Sequence, residues 1–369
     1  MIQSLRNMLF AAPLAAATLF PLRAADGRIP IAAVPYAISA PGVYYLTQDL
    51  TIASGIAINI NSSQVTLDLN GHTLTNASIA SGSYGIYSGN GFSGVRVTNG
   101  SVVGGYYGIS LSSSVSGGDY QVDHLRVTGV GAFAISIASP LASSPATHAI
   151  VDTVQVVAPA AGVGIALQNV TGSRVVHSMV RGGLYGIRLW TGTGTIVEDN
   201  ALAENATGIY LTGASKDNAV LRNTVSRGST DGISLGGANN NLIAFNTISE
   251  NGTDGIYVNG NNNCLSDNQV SGNSTYGIRL NGANKNSVVR NTVSGTTAGQ
   301  GIYLIFTSTG NSLDGNTASG NFSAGLVIGD AASTGNIYSN NRFVGNGAVN
   351  SYSAGNVSAG GNNAGAANF

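Results

Sequence analysis

A short unit built around a Gly-Ile step recurs along most of the chain and limits what it can fold into. The unit reads YGIRL at residues 185–189 and again at residues 276–280. From Gly164 onward, successive glycines of this step lie 22 to 24 residues apart. A period of this length is typical of solenoids, in which each repeat stacks on its neighbours. The glycines are Gly85, Gly108, Gly164, Gly186, Gly208, Gly232, Gly255, Gly277 and Gly301.

Each repeat joins short apolar alternations to glycine, asparagine and serine. After the N-terminal segment no stretch shows a helical period over ten residues. Leucine-rich repeats would show their leucine and asparagine signature, and propeller blades are about twice as long. Three short strands and three turns in about 23 residues therefore predict one rung of a parallel β-helix, whose stacked rungs bury an aliphatic core.

A second signal, an asparagine ahead of a Val or Ile strand, recurs out of phase with the first. Asparagine tolerates unusual turn dihedrals, and its amide can bond the next asparagine along a stack. We therefore expect an internal amide ladder that satisfies buried polar groups. Its members are Asn200, Asn223, Asn246, Asn268, Asn291 and Asn316.

These units resemble those of the right-handed parallel β-helix superfamily, which includes pectate-lyase-like folds and carbohydrate-binding and sugar-hydrolase β-helices. The segment ISAPGVYYLTQDLT, followed by INSSQVTLDLNGHTL, is similar to the N-terminal entry of many secreted members. The resemblance covers roughly residues 35–345. It implies an all-β, right-handed solenoid of roughly 11 to 12 rungs. It leaves the activity open, because one scaffold hosts many functions.

The two ends of the chain differ from the repeats. Residues 1–24 carry a positive start at Arg6, an apolar run and a cleavage site before Ala25, as in a secretory signal. The run is short for a bilayer span, and a retained anchor is the alternative. We expect a capped β-helix over 25–345 and a Gly/Ala/Asn/Ser-rich tail over 346–369, either flexible or forming a last loose rung. The predicted location is secreted or periplasmic, without a transmembrane span.

Composition narrows the class of partner. Charged residues make up only 8% of the chain, and the net charge is −1. No basic stripe indicates nucleic acid, and no charge block indicates an anionic membrane surface. The single cysteine, Cys264, excludes an intrachain disulfide. A surface of amides and hydroxyls suits a polysaccharide or glycan partner, and we expect a monomer.

The residue after each Gly-Ile step should face outward, because side chains alternate along a strand. In the second half of the chain this position carries mainly Tyr and Arg, with the only Trp two residues beyond one of them. Aromatic rings suit pyranose faces, and Arg suits the carboxylate of an acidic sugar. The alternative is the ordinary preference of tyrosine for exposed strands. The predicted carbohydrate-binding residues are Arg188, Trp190, Tyr210, Tyr257, Arg279 and Tyr303.

Asp231 and Asp254 occupy equivalent positions in consecutive repeats. Their α-carbons should lie about 5 Å apart, one strand spacing. Two outward carboxylates could form a retaining-glycosidase pair, bind calcium or belong to a lyase. An Asp-Gly turn used twice would need no chemistry. If both face the same way, a cation or hydrogen bonds should offset their repulsion. No cofactor is otherwise predicted.

Two longer intervals, of 26 and 30 residues, predict protruding loops around Ser112–Tyr120 and Ala138–Thr147. Asp123, His124 and Arg126 lie near them and are the candidate catalytic residues. Arg would neutralise a uronate carboxylate while His or Tyr acts as the base. A place for Asp123 in the asparagine ladder is the alternative. The catalytic hypothesis gains if one groove is lined by Asp119, His124, Arg126, Arg181 and Arg188.

Established catalytic signatures are absent. The chain lacks the Asp-Asp, Gly-His-Gly and Arg-Ile-Lys steps of polygalacturonases and the Asp-Pro-His-Asp run of mannuronan epimerases. A copper role like that of some periplasmic β-helix proteins would need Met, His or Cys, and only Met179 and Cys264 supply sulfur after the signal. No metal site is therefore predicted. We expect carbohydrate engagement on an exposed strand face. The alternatives are a lyase, epimerase or hydrolase of a uronic-acid polymer, and a structural or adhesive surface solenoid.

Overall fold

The chain folds into a single stack of β-strand rungs. A computed structural model describes residues 26–89, 91–112, 118–139, 146–348, 351–352 and 357–359. Every regular element in these ranges is a β-strand, and the strands form about 12 rungs of roughly 24 residues. The expected right-handed parallel β-helix is confirmed. The predicted signal over 1–24 lies outside the described residues, as do 113–117 and 140–145 of the two predicted loops.

Strands of the N-terminal rungs vary from two to ten residues in length. In chain order they are β1 (Ile29–Ile31), β2 (Tyr36–Ile38), β3 (Gly42–Leu46), β4 (Leu50–Ile52), β5 (Ile56–Ile60), β6 (Val65–Asp68), β7 (Thr73–Asn76), β8 (Tyr84–Ser88), β9 (Val95–Gly104), β10 (Tyr107–Ser112), β11 (Tyr120–Thr128), β12 (Phe133–Ala138) and β13 (Ala146–Thr147). β9 and β11 are long because each continues around a corner, through a positive φ of 60° at Asn99 and 52° at His124.

Later rungs break at that corner into two short strands. The next strands of the chain follow in order. These are β14 (Ile150–Asp152), β15 (Gln155–Val157), β16 (Val163–Gln168), β17 (Val170–Thr171), β18 (Arg174–Val176), β19 (Met179–Arg181), β20 (Tyr185–Trp190), β21 (Ile196–Glu198), β22 (Ala201–Ala203), β23 (Thr207–Thr212), β24 (Ala219–Leu221), β25 (Thr224–Ser226), β26 (Ile233–Gly236), β27 (Leu242–Ala244) and β28 (Thr247–Ser249). The remaining strands are β29 (Asp254–Asn259), β30 (Cys264–Ser266), β31 (Gln269–Ser271), β32 (Tyr276–Asn281), β33 (Ser287–Val289), β34 (Thr292–Ser294), β35 (Ile302–Ile305), β36 (Ser312–Asp314), β37 (Thr317–Ser319), β38 (Leu326–Ile328), β39 (Asn336–Ser339), β40 (Arg342–Val344), β41 (Ser351–Tyr352) and β42 (Val357–Ala359).

Three faces run along the solenoid. A 14-stranded parallel sheet carries the recurrent Gly-Ile steps and is called the Gly-Ile sheet: β2, β5, β8, β10, β12, β16, β20, β23, β26, β29, β32, β35, β38 and β41. A 26-stranded sheet supplies the other two faces. Its second face contains the run β14–β18–β21, and its third face contains the run β15–β19–β22.

Inward side chains from all three faces fill one aliphatic core. Ile187 and Leu189 of β20 are fully buried and in register with the equally buried Ile209 and Leu211 of β23. Burial of each such side chain stabilises the fold by about 1.5–3 kcal/mol. The glycine of the step is required by close packing, because a Cβ at Gly186 would lie 2.6 Å from the carbonyl oxygen of the next rung.

The expected asparagine ladder is confirmed, and a second one accompanies it. In both, each Nδ2 donates to the Oδ1 of the next asparagine at 2.9–3.1 Å. Asp123 is in register with Glu198, two residues before the first ladder, so it is not a ladder member. The first ladder is Asn200, Asn223, Asn246, Asn268, Asn291, Asn316 and Asn341. The second is Asn218, Asn241, Asn263, Asn286, Asn311 and Asn336.

The stack continues into the predicted tail, since β41 pairs with β38 and β42 pairs with β39. The tail residues 349–350, 353–356 and 360–369 lie outside the described residues. Within the described ranges, no helix has the length and apolar character needed to cross a membrane.

Candidate functional site

The six predicted carbohydrate-facing residues lie on the Gly-Ile sheet. Arg188 is in register with Tyr210, and Tyr257 is in register with Arg279, which pairs in turn with Tyr303. These five form a middle row of outward side chains along the stack. The sixth, Trp190, lies beside that row on β20 and is 44% exposed.

A second outward row carries aromatic side chains that strand alternation does not predict. Tyr84, Tyr107 and Phe133, called here the aromatic stack, have successive ring centroids 5.1 and 5.0 Å apart and nearly parallel planes. Alternation would turn these residues inward, like the isoleucine two positions later. The intervening glycine is buried together with that isoleucine, so the phase shifts and the preceding residue faces out. In the sequence, the aromatic residue that recurs directly before the Gly-Ile step could have indicated this second row.

Small residues open a trough between these aromatic side chains. The middle row carries Ser110, Ser136 and Ala166 on β10, β12 and β16, between Tyr87 of the preceding rung and Arg188 of the following one. The trough has a volume of about 300 Å³ and is walled by the aromatic stack. Tyr87 closes one end of this floor and Arg188 the other.

Arg188 enters the trough as a half-buried cation. Its Cζ lies 5.0 Å from the ring centroid of Trp190, 5.9 Å from Phe133 and 6.0 Å from Tyr185. Its Nε is buried and has no hydrogen-bond partner. Burial lowers the pKa of the Arg188 guanidinium, although nearby tyrosines oppose this shift. Arg188 is therefore a cation whose charge no described carboxylate neutralises.

Arg279, in the second YGIRL copy, is neutralised within the chain. Its Nε donates to Asp254 Oδ2 at 2.7 Å, and its Cζ lies 4.7 Å from the Tyr257 ring and 5.2 Å from the Tyr276 ring. Asp254 was expected to face outward but is fully buried, and its Oδ1 has no partner. Burial, with a smaller contribution from Asp231, raises the pKa of Asp254 to about 7 against the opposing effect of Arg279.

The two carboxylates of the predicted pair have different donors. Asp231 accepts a hydrogen bond from the Thr253 hydroxyl, whereas Asp254 accepts from Arg279. Hydrogen bonds thus fill the role that a shared cation could have taken. Across the described ranges, no group of three or more His, Cys, Asp or Glu residues could hold a metal ion.

The three candidate catalytic residues lie on β11, where His124 contacts Asp123 and Arg126 lies on a different face. Asp123 is buried, accepts from Arg96 Nε and Nη2 at 2.9 Å each, and accepts from Thr98 Oγ1 at 2.6 Å. Burial raises the pKa of this carboxyl, but these bonds and one from His124 outweigh it and lower the pKa to about 2. Asp123 is therefore an ionised structural anchor, while His124 lies at the exposed corner and Arg126 on the third face.

The five residues that would define one catalytic groove are separated. Asp119 and His148 line a shallow pocket of about 290 Å³ near the start of the second face. Arg126 and Arg181 line a cavity of about 330 Å³ on the third face. Arg188 lies in the trough of the Gly-Ile sheet. A common groove through these residues is therefore not formed.

The histidines and sulfur atoms are also dispersed. Each histidine Nδ1 lies within 3.4 Å of one aspartate oxygen. Met179 is on β19 of the third face, and Cys264 is on β30, several rungs away. This arrangement suits separate hydrogen-bonded corners. The pairs are His72 with Asp49, His124 with Asp123, His148 with Asp119, and His177 with Asp152.

The fold has known counterparts among carbohydrate-active enzymes. The Azotobacter vinelandii mannuronan C-5 epimerase AlgE6 A-module aligns with a TM-score of 0.63 at 16% identity, over 88% of this chain and 91% of that one. The AlgE4 A-module from the same organism gives 0.63 at 15% identity, over 87% and 91%. DFA-IIIase from Arthrobacter chlorophenolicus A6, without its lid, gives 0.56 at 15% identity, over 74% and 83%. At such identities the likeness shows the fold alone, which is the parallel β-helix that the repeat predicted.

Sequence comparison adds a family. None of the curated proteins matches the chain. A family model described as "Periplasmic copper-binding protein (NosD)" matches residues 146–300 and 260–364. The two segments together run from residue 146 to residue 364, which is more than half of the chain. The chain therefore belongs to the NosD family of β-helix proteins.

Proposed function

We propose that this protein is a secreted or periplasmic β-helix that engages carbohydrate on its Gly-Ile sheet. The observation that carries the proposal is the open trough, with a floor of small residues, a wall of stacked aromatic rings and a cation at one end. Aromatic faces bury apolar sugar faces, and the surrounding polar groups bind hydroxyls. The family description as periplasmic supports the location.

The trough has dimensions and donors suited to an extended chain. Its floor spans four strand intervals between Tyr87 and Arg188, or about 19 Å at about 4.8 Å per interval. Ser110 and Ser136 offer hydroxyls along the floor, and Gln168 offers an amide at its edge. Each of these groups can donate and accept hydrogen bonds, as sugar hydroxyls require.

The test fills the trough without touching the core. Ser136→Phe places a ring on the floor, and the matched control Thr292→Phe adds the same ring at an exposed position of β34 on the third face. Retention of wild-type protein on a polysaccharide array, followed by calorimetry on the retained glycan, measures binding. We expect at least about tenfold weaker binding for S136F and unchanged binding for T292F.

Two results would contradict the proposal. Wild-type protein that retains no polysaccharide would leave the structural or adhesive solenoid as the better account. Unchanged affinity in S136F would remove the trough from any binding that occurs. Circular dichroism of both variants checks that the β-helix is intact.

Copper, which the family description names, is not supported by the described residues. Each histidine already has one aspartate partner, and no group of three or more His, Cys, Asp or Glu residues could hold a metal. The soft ligands favoured by copper, Met179 and Cys264, lie on different faces. No step of the proposed function passes through copper.

A second function, action on a uronic-acid polymer as a lyase, epimerase or hydrolase, is supported by Asp254. A carboxyl whose pKa is raised to about 7 can exchange protons near neutral pH, and Asp231 is its neighbour one rung earlier. Asp254 is fully buried, so this function requires the Arg279 side chain to move away from it.

The enzyme function is tested with a panel of uronic-acid polymers, with and without calcium. Unsaturated ends, shorter products or altered epimer content would support it, provided that Asp254→Asn abolishes them. No product from any polymer in either condition would exclude it for this panel, while leaving glycan binding to be judged by calorimetry.

A further inference from the structure

Two identical pentapeptides give the chain an internal comparison for its arginines. YGIRL at 185–189 is called the first unit, and YGIRL at 276–280 the second. The strand one rung before the first unit is β16, and the strand one rung before the second unit is β29. The register is the same, because Val163 pairs with Tyr185 as Asp254 pairs with Tyr276.

The second unit shows which group an arginine in this setting takes. Asp254, one rung earlier, offers Oδ2 to Arg279 Nε at 2.7 Å. In the first unit the same position holds Val163, which has no acceptor. Arg188 Nε is left buried without a partner, and burial without compensation costs about 1–3 kcal/mol or more for a charged group.

We infer that Arg188 binds the carboxylate of an acidic sugar, a uronate unit of a glycan lying in the trough. This inference rests on the proposed carbohydrate binding and names the chemical class of the ligand. The carboxylate of the sugar would approach Arg188 from the trough and serve as the acceptor that the Asp254 carboxylate provides in the second unit. A charge-assisted hydrogen bond to the Arg188 guanidinium, which lines the trough, would then give this cation an acceptor that the described residues do not supply.

The surroundings of Arg188 favour an anion over a neutral group. The guanidinium leans back across β16 toward Phe133, which lies two rungs earlier. Val163 interrupts the aromatic wall at that point, since the aromatic stack ends at Phe133 and the next ring is Tyr185. None of the described residues that line the trough is acidic. Val163 is itself buried, so the open space beside Arg188 is the trough, which is positive at this end and flanked by rings.

The experiment introduces a carboxylate beside the first unit, at the position equivalent to that of Asp254 beside the second. Val163→Asp should give Arg188 an internal carboxylate partner, as Asp254 is the partner of Arg279. Val163→Asn is the matched uncharged control. Arg188→Met removes the cation and covers the case in which V163D fails to fold. The probes are oligogalacturonate, oligomannuronate and oligoglucuronate, each paired with the same oligomer after reduction of its carboxyls to alcohols.

We expect wild-type protein and V163N to bind at least one acidic oligomer about tenfold more tightly than its reduced partner, as one charged hydrogen bond provides. V163D and R188M should bind both forms equally. The Arg188 Nε–Hε signal in nuclear magnetic resonance spectra, assigned by its absence in R188M, should shift with the acidic oligomer alone.

The outcomes separate the two proposals. If reduced and acidic oligomers bind wild-type protein equally, or if V163D keeps the preference, the carboxylate site is wrong and carbohydrate binding stands. If no oligomer binds in either form and the array retains no glycan, both proposals fall. A preference that persists in R188M would place the carboxylate at another residue and overturn the inference.

Discussion

Arg188 and Arg279 stand in identical pentapeptides, yet one faces an open trough and the other is bonded to a buried carboxylate. The residues that differ lie one rung earlier. Val163 and Ala166 precede the first unit, whereas Asp254 and Tyr257 precede the second. In the second unit the polar side chains bond to one another, since Asn281 Nδ2 also donates to Tyr257 Oη at 2.7 Å.

This difference shows which residues of a solenoid determine the binding partner of an outward side chain. The sequence within a rung sets the backbone and the direction of a side chain, and it is the same in both units. The preceding rung sets the partner, because side chains of the Gly-Ile sheet lean across the strand interval of about 4.8 Å. A site of this kind is therefore formed by residues of two consecutive repeats, and the sequence of one repeat alone does not predict it.

The largest expected effect comes from removing each arginine in turn. Arg279→Met leaves Asp254 buried without its partner and should lower the free energy of unfolding by about 3 to 5 kcal/mol at pH 8. At pH 5 the loss should shrink to about 1 kcal/mol, because Asp254 is then protonated. Arg188→Met orphans no acid and should change the free energy of unfolding by less than about 1 kcal/mol at either pH.

Urea unfolding of the two variants at both pH values measures this contrast. Equal losses in R279M and R188M would mean that the Asp254–Arg279 pair adds nothing beyond side-chain packing. A loss in R279M that does not change between pH 5 and pH 8 would mean that Asp254 does not titrate in that range.

The next effect concerns the pH dependence of stability in the second unit. The folded pKa of Asp254, about 7, lies above its ordinary value of 3.8. The folded state therefore holds this proton more tightly than the unfolded state. The contribution is fully present below pH 4 and is lost as the pH rises through 7. The loss amounts to about 4 kcal/mol at 1.36 kcal/mol per pKa unit.

Asp254→Asn isolates this term because it removes the titration while keeping the shape of the side chain. We expect the free energy of unfolding of wild-type protein to fall relative to D254N between pH 4 and pH 8, as measured in urea. Parallel profiles for the two proteins would show that Asp254 ionises at its ordinary pH in the fold.

Much of the scaffold could be predicted from the sequence, because its period averages local signals over many copies. The Gly-Ile spacing predicted the β-helix, and the asparagine spacing predicted the first ladder. The second ladder, which begins at Asn218, was missed although its spacing is as regular. The outward direction of Arg188 and Arg279 also followed from alternation, since each comes directly after a core isoleucine.

The site itself was harder to predict, because it depends on departures from alternation. The buried glycine shifts the phase, so Tyr107 faces out where alternation turns it in. Asp254 lies at the equivalent position before its own Gly-Ile step, yet it is fully buried and bonded to Arg279. Asp123 could not be recognised as a structural anchor, because its partner Arg96 lies one rung earlier at a position with no repeat signature.

A smaller effect is expected from opening the second unit. Asp254→Val recreates the valine of the first unit and frees Arg279 to take an external carboxylate. Tyr257 still fills the floor beside it, so a monosaccharide should fit where an oligomer does not. We expect free galacturonate to shift the Arg279 Nε–Hε signal in D254V, at about tenfold lower concentration than in wild-type protein. An unchanged signal in D254V would show that removal of the internal acid does not create a site.

The smallest effect tests how the rings beside each unit are held. A Cβ at Gly236 would lie 2.8 Å from Tyr210 Oη, and a Cβ at Gly329 would lie 2.7 Å from Tyr303 Oη. Neither glycine has a positive φ, so alanine strains only the ring above it. Tyr210 stacks on Tyr185 at 4.8 Å beside Arg188. Gly236→Ala should therefore weaken binding of the acidic oligomer about fivefold, a loss typical of one aromatic contact.

Gly329→Ala is the matched control, because it displaces Tyr303 beside the second unit, where no trough is open. Calorimetry with the oligomer that binds best should give wild-type affinity for G329A and the fivefold loss for G236A. Equal losses would mean that the ligand extends along the whole sheet past the second unit. No loss in G236A would mean that Tyr210 is outside the ligand's reach and that the trough ends at Arg188.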